Sequence, residues 1–253
     1  MGGRVLIFLY GVVSYVAFLA ALLYAIGFVG EMVVPKSIDD GEDGPLGTAL
    51  AVNIALLAAF AIQHSVMARP AFKQQWTKVV PKPIERSTFV LFTSLVLFLL
   101  YWQWRPMTGE IWHVDNSVGS VLLLALFWIG WLTVLASTFM IDHFELFGLK
   151  QTYFYLIGRE IPPASFKTPL LYQLVRHPIM LGFIIAFWAT PTMSAGHLLF
   201  AAVTTVYILI AIRIEEHDLV GLFGDEYREY RKQTSLILPI PKPKATKAND
   251  SSL

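Results

Sequence analysis

Four stretches of the chain run for a full membrane thickness without a charged residue: 5–30, 46–68, 87–104 and 117–141, of 26, 23, 18 and 25 residues. Each is close to the ~20 residues that carry a helix across a ~30 Å hydrocarbon core. A fifth uncharged stretch, 178–212, has 35 residues. As one helix it would be about 52 Å long, too long for a single crossing. Thr190, Pro191, Thr192, Ser194 and Gly196 fall near its middle, and such residues break helices and form turns. The pattern predicts two helices folded back on each other there, making six spans in an all-α integral membrane protein. The first stretch exceeds the about 7–15 apolar residues of a secretion signal, so it reads as a span.

Past the last span the pattern changes. Between Ile214 and Lys232, Leu219, Leu222, Phe223, Tyr227 and Tyr230 recur at helical spacing, charges fill the other positions, and Gly224 interrupts. This predicts an amphipathic helix leaving the membrane and lying along its inner surface. From Pro239 the chain is rich in Pro, Lys and Ser; it reads as a disordered tail, solvated or touching anionic membrane lipid through its lysines. Three regions follow: 1–141 with four spans, 142–238 with the hairpin and amphipathic helix, and the tail 239–253.

Composition agrees with this architecture. Hydrophobic residues make up 56% and charged residues 15%, with mean hydropathy +0.59, against about 25% charged in soluble domains. A net charge of +1 with no basic face argues against nucleic acid as a partner. The absence of cysteine excludes disulfides, thiolate zinc sites, iron–sulfur clusters and a cysteine nucleophile. Of 19 Lys and Arg, 17 lie in segments 1–4, 69–86, 142–177 and 213–253, and only Lys36 and Arg105 lie in the opposite loops. The positive-inside rule then places both termini in the cytoplasm.

Chemistry gathers at the ends of the folded-back pair. Arg176, His177 and Pro178 enter it; Glu215, Glu216, His217 and Asp218 leave it. Because residue 196, in the turn, is midway between 177 and 215, His177 and Glu215 are expected at similar depth at the cytoplasmic mouth. A cation, an imidazole and paired carboxylates there suit either a polar binding site or charges anchored at helix ends. Pro178 suits the first turn of a helix, where its missing N–H costs nothing.

The pattern Tyr172-x3-Arg176-His177-Pro178-x3-Gly182, then Glu215-Glu216-x2-Leu219-x3-Phe223-Gly224-x2-Tyr227-x2-Tyr230 and Pro239, resembles the C-terminal signature of the integral-membrane methyltransferases. That superfamily includes the isoprenylcysteine carboxyl methyltransferases and phospholipid N-methyltransferases. The resemblance implies S-adenosylmethionine as cofactor, with S-adenosylhomocysteine as product, and a cofactor site lined by Tyr172, Arg176, His177, Pro178 and Glu215; Met180 and Glu216 are further candidates there, and Gln151 a candidate contact to the adenosine. Carboxylates suit the cofactor's amino group, and His and Arg its carboxylate. Two positions depart from the pattern: Met180 replaces the usual Tyr, and Ala211 stands where isoprenylcysteine enzymes carry an Arg. A prenylated carboxylate is therefore not the expected acceptor.

The segments 63–73, 80–81, 85–88 and 141–151, with Gln63-His64-Ser65, Glu85-Arg86-Ser87-Thr88 and Asp142-His143-Phe144-Glu145 among them, resemble the bacterial branch whose members methylate methanethiol. Neighbours of that branch are membrane proteins linked to nitrite and nitric-oxide reduction. The resemblance implies a multi-pass protein of a bacterial inner membrane that turns a small volatile thiol, methanethiol, into dimethyl sulfide. Other acceptors (hydrogen sulfide, a lipid amine) and a non-catalytic role remain open from the residues. The thiolate is the nucleophile, so a base is useful near neutral pH. His64, Asp142, His143 and Glu145 are the candidates on the same side as the hairpin mouth. Glu85 and Arg86 either line the pocket or form a helix-start charge pair.

Overall fold

The computed structural model describes residues 2–163 and 165–240. Five helices are long and apolar enough to cross a membrane: α1 (Gly2–Gly30), α2 (Leu46–Ala68), α4 (Lys82–Gln103), α5 (Ser117–Ile141) and α10 (Ala195–Phe223). Short helices lie between and after them: α3 (Pro70–Trp76), α6 (His143–Leu146), α7 (Leu149–Leu156), α8 (Leu171–Leu174), α9 (Pro178–Trp188) and α11 (Asp225–Gln233). Leucines and valines such as Leu6, Val13, Leu122 and Leu132 point outward and stay exposed, as residues facing lipid do. The interior is aromatic: Phe28, Tyr101, Trp104, Phe127, Trp131, Phe187 and Phe200 form one buried cluster.

Local chemistry sets the element ends. Asn116 caps α5 by accepting hydrogen bonds from the amides of Val118 and Gly119, and Ser194 caps α10 by accepting from the amide of His197 at 3.0 Å; both satisfy first-turn donors that have no partner inside the helix. Pro178 opens α9, where it is fully buried. Gly224, with φ +60°, ends α10.

The uncharged 35-residue stretch does divide in two, but unequally. α9 has 11 residues and spans about 16 Å, roughly half the apolar core, so six full-length spans are not what forms. Thr190 and Pro191 mark the break, and a distant partner fixes its extent: residues 192–194 become an extended strand, β2 (Thr192–Ser194), paired antiparallel with β1 (Glu110–His113). Apart from an isolated bridge between Val175 and Ser235, this two-stranded sheet is the one departure from all-α architecture among the described residues, and it closes the end of the molecule opposite the hairpin mouth. Ser194 Oγ also donates to Asp39 at 2.6 Å there. α10 has 29 residues, about 43 Å, so its final turns extend past a ~30 Å core.

α9 and α10 are antiparallel, with Trp188 Nε1 donating to Thr205 Oγ1 at 2.9 Å and His177 facing Glu215 and Glu216 at the other end. The closest neighbour of α9 is nevertheless α5. A Cβ on Gly130 would lie 2.7 Å from the Gly182 carbonyl oxygen, so the two backbones touch and only glycine fits at the crossing. The expected amphipathic segment is the end of α10 plus α11, but its apolar side does not simply rest on lipid. Tyr227 is buried and Phe166 packs on Phe223, Tyr227 and Tyr230, because a phenol carries a polar tip that finds partners in the protein. Of the tail, 241–253 lies outside the described residues.

Candidate functional site

At the hairpin mouth the two adjacent glutamates take different surroundings. Glu216 is buried and receives four side chains: Arg176 Nε at 2.5 Å, Tyr227 OH at 3.3 Å, His177 Nε2 at 3.4 Å and Arg231 Nε at 3.3 Å. Its neighbour Glu215 keeps 45% of its side chain exposed, with Oε2 3.6 Å from His177 Nδ1. The two ring nitrogens of His177 thus face the two carboxylates.

Arg176 spends its donors on the fold. Besides Glu216, its Nη1 donates to the carbonyls of Thr234 at 2.5 Å and Arg231 at 3.1 Å. The backbone follows: the Arg176 amide donates to Ser235 O and the His177 amide to Leu236 O. These bonds fasten the segment after α11 to the entrance of α9. Tyr230 donates to the Tyr172 carbonyl at 2.5 Å, and Tyr172 to the Ser137 carbonyl at 3.4 Å. Burial pushes the phenols of Tyr172 and Tyr227 up, with the nearby glutamates adding to it, and that of Tyr230 up to about 12; all three remain donors at neutral pH.

A second, looser cluster adjoins Glu215. Arg86, at the start of α4, lies within electrostatic range of Glu85, Glu145 and Glu215, and its guanidinium stacks over Phe89 at 5.6 Å. Among the described residues no carboxylate oxygen comes within 4.0 Å of it and no hydrogen bond engages it. The loop bearing Glu145 is brought to α4 by Gly148, which has φ +86° and whose Cβ would meet the Ser87 amide nitrogen at 2.6 Å; Ser87 Oγ donates to the Gly148 carbonyl. His64 stacks on Phe60 with ring centroids 5.3 Å apart, and its Nδ1 lies 3.4 Å from Thr93 Oγ1. Gln151 donates to the Glu145 carbonyl at 2.9 Å while its Oε1 is buried without a partner among the described residues.

The structure therefore brings His64, Glu85, Arg86, Gln151, His177 and Glu215 towards one region, with Arg176, Tyr172, Pro178 and Glu216 behind it. Met180 packs instead with the apolar cluster of Ile208, Ile212 and Ile237. His143 is buried, stacked on Phe139 at 4.2 Å, with Tyr15 OH 2.9 Å from Nε2 and Thr138 Oγ1 2.9 Å from Nδ1. Burial holds its imidazole below the usual range, against the opposing pull of Asp142. Asp142 caps α6 through the Glu145 amide and pairs with Lys150, which also pairs with Glu145.

Three residues of the 63–73 segment that sequence reasoning gave no site role, Arg69 being read as a topology charge, also contribute. Arg69 pairs with Asp218 at 2.8 Å, tying α2 to α10 beside Glu215. Gln63 has a second buried, unpartnered amide oxygen. Lys73 is half-buried; burial and Arg86 lower its ammonium pKa, while Glu85 and Asp218 oppose them. The signal for all three was their nearness in sequence to His64, but α3 had to fold before Lys73 could be placed.

A multi-pass helical membrane protein with a buried ionic network at one end of a helix pair is the class these features define. The chain belongs to the NnrU family: the model described as NnrU protein matches residues 52–234. It is 57% identical over 238 residues to a protein of Mycobacterium tuberculosis named methanethiol S-methyltransferase, covering 94% of this chain and 98% of that one. To methanethiol S-methyltransferase 1 of Bradyrhizobium diazoefficiens it is 57% identical over 232 residues, 92% of this chain and 81% of that one. Nurim of Mus musculus is 31% identical over 187 residues, covering 70% and 71%. No solved structure matches the chain.

Proposed function

We propose that this protein transfers a methyl group from S-adenosylmethionine to methanethiol, releasing dimethyl sulfide, S-adenosylhomocysteine and a proton. It does so in a bacterial inner membrane with both termini in the cytoplasm, the side holding 17 of its 19 Lys and Arg. The observation that carries this reading is the 57% identity, along nearly the whole chain, to proteins named for that reaction.

The residues present fit the cofactor's chemistry. An amino group needs an accessible carboxylate, which Glu215 supplies; a carboxylate needs an imidazole or guanidinium, which His177 and Arg86 supply. The amide oxygens of Gln63 and Gln151, buried without partners among the described residues, suit the donor groups of a nucleoside, since buried acceptors are normally satisfied. When bound, S-adenosylmethionine supplies a methyl group activated on a sulfonium. Glu216 holds Arg176, His177, Tyr227 and Arg231 in place, and Glu215 presents its free carboxylate beside them.

His64 is the base in this reading: its Nδ1 is held by Thr93, and Asp142 and His143 already have partners for their polar atoms. Arg86 favours the thiolate over the thiol. Phe60 and Phe89 flank His64 and offer an apolar wall to a one-carbon thiol. Regions 1–141 and 142–238 act together in this reading, since His64 and Arg86 come from the first and Glu215 from the second.

Headspace gas chromatography of purified protein given S-adenosylmethionine and methanethiol tests the reading, with Glu215→Gln run alongside. Dimethyl sulfide from the wild type and not from the variant is the expected result. Cofactor binding without dimethyl sulfide would overturn methanethiol as acceptor, and hydrogen sulfide and lipid amines would then be assayed. No binding of S-adenosylmethionine would overturn the whole reading.

A further inference from the structure

Beside the Glu216 network lies a cavity of about 360 Å³ lined by Arg176, Arg228, Arg231 and Lys232. Its lining has four cations and no carboxylate. Each of the four already has a carboxylate partner: Arg176 and Arg231 share Glu216, Arg228 pairs with Asp225 at 2.7 Å and Lys232 with Glu229 at 3.1 Å. The Arg228 and Lys232 pairs are largely exposed, and exposed pairs of this kind are weak enough to yield to a better anion. Four cations converging on one hollow suit an oxyanion with several acceptor oxygens and more than one geometry of approach, above all a phosphate.

The surroundings indicate where that phosphate comes from. The cavity lies between the entrance of α9, which supplies Arg176, and α11, which supplies the other three cations. The flanking segments present apolar side chains to the outside: Leu174 before α9, Leu222 in the last turn of α10, and Leu238 and Ile240 after α11 are all exposed. A basic hollow with exposed apolar residues on the neighbouring stretches of chain combines the two attractions of an interfacial lipid site, headgroup charge and apolar contact.

We propose that this cavity binds the phosphate of an anionic phospholipid headgroup from the inner leaflet. The site is separate from the methyl-transfer reading and does not depend on it. Its position gives it a consequence for that reading, because Arg176 and Arg231 serve both the cavity and Glu216. A headgroup in the cavity balances the cationic side of the latch that docks the segment after α11, and so steadies the entrance of α9.

The test uses the full chain in a neutral detergent. Calorimetric titrations with short-chain phosphatidylglycerol, short-chain phosphatidylcholine and inorganic phosphate are compared between the wild type and Arg228→Gln/Lys232→Gln, two positions outside the Glu216 network. The expected result is saturable binding of phosphatidylglycerol but not phosphatidylcholine, weakened roughly thirtyfold in the double variant. Affinity for S-adenosylhomocysteine stays unchanged in that variant, which separates this site from the cofactor site. Phosphate binding as tightly as phosphatidylglycerol, and lost in the same variant, supports the anion site but overturns the lipid as its source. Equal binding of the two lipids, an unaffected double variant, or competition between phosphatidylglycerol and S-adenosylhomocysteine would each overturn the proposal.

Discussion

Arg176 Nε lies 2.5 Å from Glu216 Oε1, and both side chains are buried. This pair joins the entrance of α9 to the end of α10, and through Arg176 Nη1 to the carbonyls of Arg231 and Thr234. Removing one member of a buried pair leaves the other charge uncompensated, at a cost of about 3–5 kcal/mol. Glu216→Gln is therefore expected to lower the melting temperature in detergent and to expose the segment after α11 to protease. A variant that melts like the wild type and resists cleavage would show that the latch is not structural.

Glu215 should behave differently although it is the adjacent residue. Its side chain is half exposed, and among the described residues the one basic side chain within 4 Å of its carboxylate is the His177 imidazole. Glu215→Gln is expected to leave melting unchanged and to weaken S-adenosylhomocysteine binding at least ~10-fold, a loss of ~1.4 kcal/mol or more. Calorimetry on Glu215→Gln and Glu216→Gln side by side would distinguish a ligand from a support.

Gly148 is the residue that sets the Glu145 loop against α4. Alanine there meets a left-handed φ, costing roughly 1–2 kcal/mol, and a Cβ position 2.6 Å from the Ser87 nitrogen. Gly148→Ala is expected to destabilise the protein by more than the φ penalty alone and to reduce activity by shifting the loop from Arg86. An unchanged melt with full turnover would mean the loop relaxes freely.

His143 makes one contribution of definite sign to the pH dependence of stability. Its folded pKa lies below the model-peptide value of about 6.5, so the unfolded chain binds the proton more readily. The stabilisation is complete above about 6.5 and declines as pH falls through that value towards the folded pKa. Thermal melts of the wild type should lose stability from pH 7 down to pH 5, and His143→Gln should show a flatter profile over that interval. Equal slopes would assign the acid loss to another group.

Among the described residues Arg86 has no ion pair to lose, so its replacement should spare the fold. Arg86→Gln is expected to melt like the wild type while lowering turnover and moving the alkaline rise of the pH–rate profile upward, as thiolate formation becomes harder. Arg86→Lys, keeping the charge, should recover part of the turnover. A stability loss in both variants without a change in profile would reduce Arg86 to a structural cation.

Much of this architecture was legible without coordinates, because a bilayer imposes its thickness on the chain. Runs of 26, 23 and 25 uncharged residues have few alternatives to membrane-crossing helices, and the distribution of Lys and Arg carries the orientation expected for them. Thr190 and Pro191 marked the break in the 35-residue stretch, and Gly224 the end of α10, through backbone chemistry that needs no neighbours. Equal depth for His177 and Glu215 followed from counting either side of the turn. What the sequence could not express was direction around a helix axis. Glu215 and Glu216 are identical side chains about 100° apart on α10. Only the packing of α9 and α11 decided that Glu216 turns inward to Arg176 while Glu215 keeps its carboxylate available. The same holds for His143, whose two ring nitrogens are taken by Tyr15, 128 positions away, and by Thr138, and for the shortness of α9, whose remaining residues are drawn into a strand by a partner at 110–113. Each of these depends on which distant surface arrives first at a polar atom that cannot remain unpaired, and that is a property of the folded chain alone.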